Sequence, residues 1–206
     1  MAYENPTFAT SASPMPRMKV NVENRDNDHP FFTVDEWYSK EETNGIWKEL
    51  DFLTDFKKFQ LDEHGTLKIN LDESYSNKNI SNILSYRYKE KLELFHNQID
   101  RSFVENTWKE FVNCKDIVTS VRYFHQSMGW DKHTSDDKFV SYTMFCDTHA
   151  VFEGGDLLVE DRKIKNYAGR LTFMPGKYAR EITGINFTDP RRTLGSGLYL
   201  ITTTYN

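Results

Sequence analysis

The sequence predicts an α+β protein whose core is a double-stranded β-helix (jelly roll) flanked by helices from the N-terminal half. Three observations carry this expectation. Apolar residues recur at helical steps in the first half, and near Asp116 the pattern changes to β-branched and aromatic runs. Short strands then recur to the C-terminus, separated by glycine-bearing turns at Gly154-Gly155 and Gly176. Aromatic residues make up 15% of the chain, with 15 Phe and 11 Tyr, enough bulk to fill a barrel. Helices first and a strand meander afterwards is the order of an α+β domain with a closed sheet sandwich.

Taken in order, residues 1–28 read as an arm, flexible or held by a partner. Ala2, Pro6, Ala9, Ser11, Ala12, Ser13, Pro14 and Pro16 give it little to pack, and Asn24–Asp28 is polar throughout. The remaining span, 29–206, is expected to be one domain. Thr33–Glu36 and Ser39–Glu42 both fit the capping box, in which a hydroxyl and a carboxylate satisfy the free N–H groups that open a helix. Behind the second, Ile46, Trp47, Leu50 and Leu53 form a helical stripe. A polar loop is expected over 72–82, and an amphipathic helix or pair over 83–111. There Leu92, Phe95, Ile99 and Phe103 form a stripe, with Trp108 and Phe111 behind it. The strand-bearing stretches that follow are Ile117–Phe124, Phe139–Cys146, Gly154–Glu160, Ala168–Gly176 and Leu198–Thr204.

Composition excludes several function classes. The net charge of −5 is wrong for a phosphate-neutralising surface, so no nucleic-acid partner is expected. No apolar run approaches the ~20 residues of a spanning helix, and the opening residues lack a signal-peptide pattern, so no membrane role is expected. Cys114 and Cys146 alone make no disulfide framework, which points to a reducing, cytoplasmic setting.

The order of His133 in Trp130–Asp137, the strand Phe139–Cys146, the Gly154-Gly155-Asp156-Leu157 turn, the Phe173-Met174-Pro175-Gly176 turn and the Arg191-Arg192 pair resembles the prolyl-4-hydroxylase-like branch of the 2-oxoglutarate/Fe(II) dioxygenases. The resemblance runs from about Phe31 to Thr204. It extends to small free-standing proteins of marine bacteriophages, which would place the chain in host cytoplasm or in a virion. In that family two histidines and a carboxylate hold iron on one face, the first two as His-x-Asp. Here His133-Thr134-Ser135 puts a serine at the carboxylate position. Asp136 falls one residue late and, on a strand, points to the other side. Arg180 aligns with the distal histidine, and a guanidinium has no lone pair to give a metal. For the cosubstrate, the resemblance implies that Arg191 or Arg192 pairs a carboxylate of 2-oxoglutarate and that Tyr142 adds a hydrogen bond. His125 and His149 lack the spacing to complete a set.

Two functions follow from this pattern. One is a catalytically degenerate member of the fold, without cofactor, serving as a binding or structural module that contacts a protein partner or neighbouring subunits, as a phage virion component would. The other is an active hydroxylase of a protein or peptide, using Fe(II) and 2-oxoglutarate with His133, Asp136 and a further ligand. A sugar- or ligand-binding jelly roll has only the aromatic content behind it. Under the first reading, Arg180 is expected to be buried opposite His133 across the barrel and paired with Asp136, Asp137 or Glu181.

Overall fold

The computed structural model describes residues 19–23, 29–55, 59–63, 66–70, 110–111, 114, 116–146, 152–165, 167–188 and 197–206. The elements, in chain order, are β1 (Lys19–Glu23), β2 (Phe31–Asp35), α1 (Lys40–Asp55), β3 (Gln60–Leu61), β4 (Leu67–Asn70), β5 (Ile117–Phe124), β6 (Trp130–His133), β7 (Phe139–Cys146), β8 (Phe152–Glu153), β9 (Leu157–Val159), β10 (Arg162–Ile164), β11 (Leu171–Pro175), β12 (Arg180–Ile182), β13 (Asn186–Phe187) and β14 (Leu198–Tyr205). They form an eight-stranded sheet in the order β1-β2-β11-β7-β14-β5-β4-β3, a four-stranded sheet in the order β10-β9-β12-β6, and the small pair β13-β8. This is the α+β jelly roll that the strand-rich second half predicts.

Two apolar clusters follow from the two faces of the large sheet. Strand side chains alternate, so one set of each strand faces α1 and the other faces the small sheet. Val121, Tyr123, Phe145, Phe173, Tyr199 and Ile201 pack with Ile46 and Leu50 of α1. Phe111 joins this side, with its ring 4.7 Å from that of Phe173. Phe124, Val140, Tyr142, Met144, Leu198 and Leu200 face the barrel interior, against Trp130, Leu157, Val159 and Ile182 of the small sheet.

The N-terminal half contributes strands as well as a helix. Thr33–Glu36, expected to cap a helix, lies largely within β2. Thr33 is paired to Asn21 on one side and Thr172 on the other. The capping signal lost because Phe31, Phe32 and Val34 are all buried, and a strand flanked on both sides and covered on both faces satisfies more groups than a helical turn there would. Part of the expected arm is also a strand. Lys19–Glu23 alternates Val20 and Val22 with polar residues and pairs along its whole length with β2. The rest of the arm, the 72–82 loop and nearly all of the 83–111 stripe lie outside the described residues.

The second capping box forms as read. Glu42 N–H donates to Ser39 Oγ (3.2 Å), and Ser39 N–H donates to Glu42 Oε2 (2.8 Å). Glu41 and Glu42 also place negative charge against the positive end of the α1 dipole. Replacing Ser39 with alanine is expected to lower stability by about 1 kcal/mol, read from denaturant unfolding. Gly154 and Gly155 both adopt left-handed backbone angles (φ 81° and 66°), and a Cβ on Gly154 would sit 1.8 Å from Gly184 O. That turn therefore needs glycine on two counts.

Candidate functional site

The ends of β6 and β12 lie side by side in the small sheet, with Arg180 in direct register with His133. The two residues are thus cross-strand neighbours on one sheet. They do not oppose each other across the barrel, as the sequence suggested. The chain between them approaches closely at a second point, where Ser135 N–H donates to Gly176 O at 3.0 Å and Gly176 N–H donates to Lys138 O at 3.0 Å. A Cβ at position 176 would meet Asp137 O at 2.0 Å and Ser135 Oγ at 2.9 Å, so a glycine lets the two loops close.

Arg180 is 3% exposed. Its Nε donates to the Tyr142 hydroxyl, which reaches across from the large sheet. Its Nη1 donates to Gly176 O (2.6 Å) and Tyr178 O (3.0 Å), and its Nη2 donates to Ser135 Oγ (2.9 Å). The expected carboxylate partner is absent from this set. Asp136 is exposed, Asp137 Oδ1 accepts from Asn206 Nδ2 (2.9 Å), and Glu181 follows Arg180 on a strand and so takes the other face. Two backbone carbonyls and two hydroxyls supply the acceptors instead. Tyr142 remains a neutral phenol, because burial raises its pKa more than the neighbouring Arg180 lowers it.

His133 is positioned by its own strand. Its Nδ1 lies 2.7 Å from Asp131 O, and its ring stacks on Trp130 with centroids 3.9 Å apart and planes 24° from parallel. The guanidinium of Arg122 lies over Trp130 as well, 3.9 Å from the ring centroid. Imidazole and guanidinium thus both lie against one indole. Arg122, on the interior face of β5, is 6% exposed and pairs with Asp62 at 3.2 Å. Burial pushes the Arg122 pKa down and Asp62 opposes the shift. Asp62 is itself held by Thr66, whose N–H and Oγ1 each donate to it at 2.8 Å. Among the described residues, Arg122 and Arg180 are the only charged side chains that are fully buried.

Neither Arg122 nor Asp62 stood out in the sequence. A lone arginine in Ile-Val-Thr-Ser-Val-Arg-Tyr-Phe was the available signal, since the alternation places it on the same face as Ser120 and Phe124. The register adds a polar row that only strand pairing reveals. Asn21, Thr33, Thr172, Tyr142, Thr202 and Ser120 are successive partners across six strands of the large sheet. The hydroxyls of Thr33 and Thr202 and the Nε of Arg122 are buried there without a hydrogen-bond partner.

Arg191, Arg192 and His149 lie outside the described residues, and His125 is exposed beyond the end of β5. Among the described residues no three His, Cys, Asp or Glu side chains converge to hold a metal ion. A cleft of about 650 Å³ opens away from these groups, beside the start of α1, lined by Tyr38, Lys40, Thr43, Tyr167 and Arg170. It has none of the barrel's buried charge, and the barrel end of β6 and β12 is the better candidate site. No described helix is long and apolar enough to cross a membrane.

No family model and no curated protein matches the sequence. Solved structures do match the fold. A Pseudomonas putida prolyl-4-hydroxylase superposes with a TM-score of 0.62 at 12% identity, covering 87% of this chain and 93% of that one. A prolyl 4-hydroxylase from Phytophthora capsici gives 0.52 at 9% identity, over 85% and 58% of the two chains. A viral collagen prolyl hydroxylase from Paramecium bursaria Chlorella virus-1 gives 0.50 at 11% identity, over 85% and 94%. At these identities the likeness is one of architecture, and the chain has the jelly-roll fold of the 2-oxoglutarate/Fe(II) oxygenases.

Proposed function

We propose that this chain uses an oxygenase fold without iron chemistry, as a binding or structural module. The observation that carries the reading is the Arg180 guanidinium, buried beside His133 and bonded to the Ser135 hydroxyl. By the resemblance in the sequence, these three residues stand where two histidines and a carboxylate would hold Fe(II). The donor set does not fit that ion. Only His133 offers a nitrogen lone pair, Ser135 is a neutral hydroxyl, and Arg180 keeps a fixed positive charge that repels a divalent cation. Tyr142, which would bond a bound 2-oxo acid in that resemblance, instead receives Arg180. No catalytic step through iron follows from these residues.

The same substitution suits a structural role. Arg180 ties β12, β7 and the two loops around Ser135 and Gly176 into one unit, a task a bound ion performs in a metal site. The Ala-, Ser- and Pro-rich opening residues offer a segment for contacting a neighbouring subunit or partner protein, as in a phage particle. The fold-level kinship with prolyl hydroxylases keeps one rival reading, an active Fe(II) and 2-oxoglutarate hydroxylase of a protein or peptide. Anaerobic calorimetry with Fe(II), followed by oxygen and an assay for succinate, separates the two. The expected result is no stoichiometric iron uptake and no turnover. Tight one-to-one binding that His133→Ala abolishes would overturn the reading.

A further inference from the structure

The chain that precedes β1 meets the fold at the mouth of the cleft beside α1. β1 and β2 run antiparallel with Lys19 opposite Asp35, and Asp35 and Glu36 both line that cleft. Followed backward from Lys19, the chain therefore heads past the end of β2 and along the cleft. Glu36 turns β2 away at a φ of 53°, so no strand remains there for a longer ladder. Pro14 and Pro16 lack the N–H that such a ladder would use, and they favour an extended backbone over residues 13–16. Arg17 lies two residues before Lys19, a span of at most about 7 Å.

The side chains are complementary. Tyr167 lines the cleft and is 48% exposed, one of three large apolar side chains that accessible among the described residues. Glu36 is exposed and has no ion-pair partner among the described residues, whereas Asp35 is held by Arg170 at 2.5 Å. Arg17 is the only Lys or Arg in residues 1–18, and Met15 and Met18 stand on either side of Pro16-Arg17. Pro-rich segments dock on aromatic-lined grooves because they are already extended and lose little entropy. A cleft of about 650 Å³ has room for a few such residues.

We propose that residues 14–18 seat in the cleft of their own chain, with Arg17 against Glu36 and the Pro-Met-Pro run against Tyr167. A segment tethered at the rim acts at an effective concentration in the millimolar range, above what a second copy reaches in dilute solution. Residues 1–13 then extend from a fixed root and remain available to a neighbouring subunit. The inference is independent of whether the barrel binds iron.

The test is the rate of tryptic cleavage between Arg17 and Met18 in the full chain, read by mass spectrometry. Cleavage after the exposed Lys177, in the turn before β12, is the internal reference for general opening. Relative to that reference, Glu36→Gln should speed the Arg17 cut about threefold, as loss of an exposed ion pair allows. Glu36→Gln combined with Tyr167→Ala should speed it about tenfold. Neither substitution creates a tryptic site. Equal relative rates in the wild type and the double variant would overturn the proposal. If the double variant opens throughout, so that the Lys177 cut quickens equally, the Glu36→Gln comparison decides alone. Protection of Arg17 in the wild type should be unchanged on dilution. Protection lost on dilution would mean that another copy's arm fills the cleft, and docking within the chain would be refuted.

Discussion

Arg180→Ala is expected to cost about 3 kcal/mol, because it strips charged hydrogen bonds from four buried or half-buried acceptors at once. For a chain of this size that corresponds to a fall in melting temperature of roughly 6–12 °C. The estimate nets two opposing effects. Removing a buried charge relieves desolvation, but Gly176 O, Tyr178 O, the Tyr142 hydroxyl and Ser135 Oγ are left to find water. Arg180→His should recover little of the loss, since an imidazole cannot reach four acceptors. It should not produce tight iron binding either, because Ser135 still supplies no carboxylate. Scanning calorimetry of both variants checks the stability claim. A fall below about 2 °C would mean that the clamp contributes little.

The second large effect concerns the other buried arginine. Asp62→Ala leaves Arg122 charged, buried and without its carboxylate, and removing one partner of such a pair typically costs about 3–5 kcal/mol. Arg122→Met removes the charge and keeps much of the side-chain volume against Trp130, so it should cost less. In the double variant the uncompensated charge is gone, and the loss should be smaller than the sum of the two single losses by at least ~1 kcal/mol. Denaturant unfolding of the four proteins in the cycle gives this coupling directly. Additive losses would show that Asp62 and Arg122 do not act as a pair.

Local chemistry made much of the fold legible, and long-range pairing made the rest invisible. Ser39 and Glu42 satisfy each other within one turn, so their cap could be read from four residues. Gly154-Gly155 was readable for the same reason, as a backbone requirement local to the turn. Thr33 shows where this fails. Its signal was as good as that of Ser39, but β1 and β11 claim its backbone, and the second of these lies far along the chain. The candidate site follows the same division. Alternation on β12 tells that Arg180 and Glu181 take opposite faces, and that removes Glu181 as a partner. Two of the acceptors that Arg180 does use are carbonyls only two and four residues before it, and no side-chain pattern announces a carbonyl; the Tyr142 phenol and the Ser135 hydroxyl are brought in from β7 and from the loop after β6. Asp62 reaches Arg122 only because the β3–β4 hairpin pairs with β5 at the sheet edge.

The indole of Trp130 gives the barrel an optical reporter of its own. Its ring lies within 4 Å of an imidazole and of a guanidinium, each measured between ring centroid and partner. Trp37 and Trp47 belong to the cluster on the helical side of the large sheet, so their emission answers to a different environment. Light absorbed by Trp130 senses a charged, aromatic-stacked surrounding that depends on β5, β6 and the Asp62 hairpin staying in place. The chain has four tryptophans, so a variant that keeps Trp130 alone lets rearrangement at the candidate site be followed without a label, by the intensity and colour of one intrinsic fluorophore.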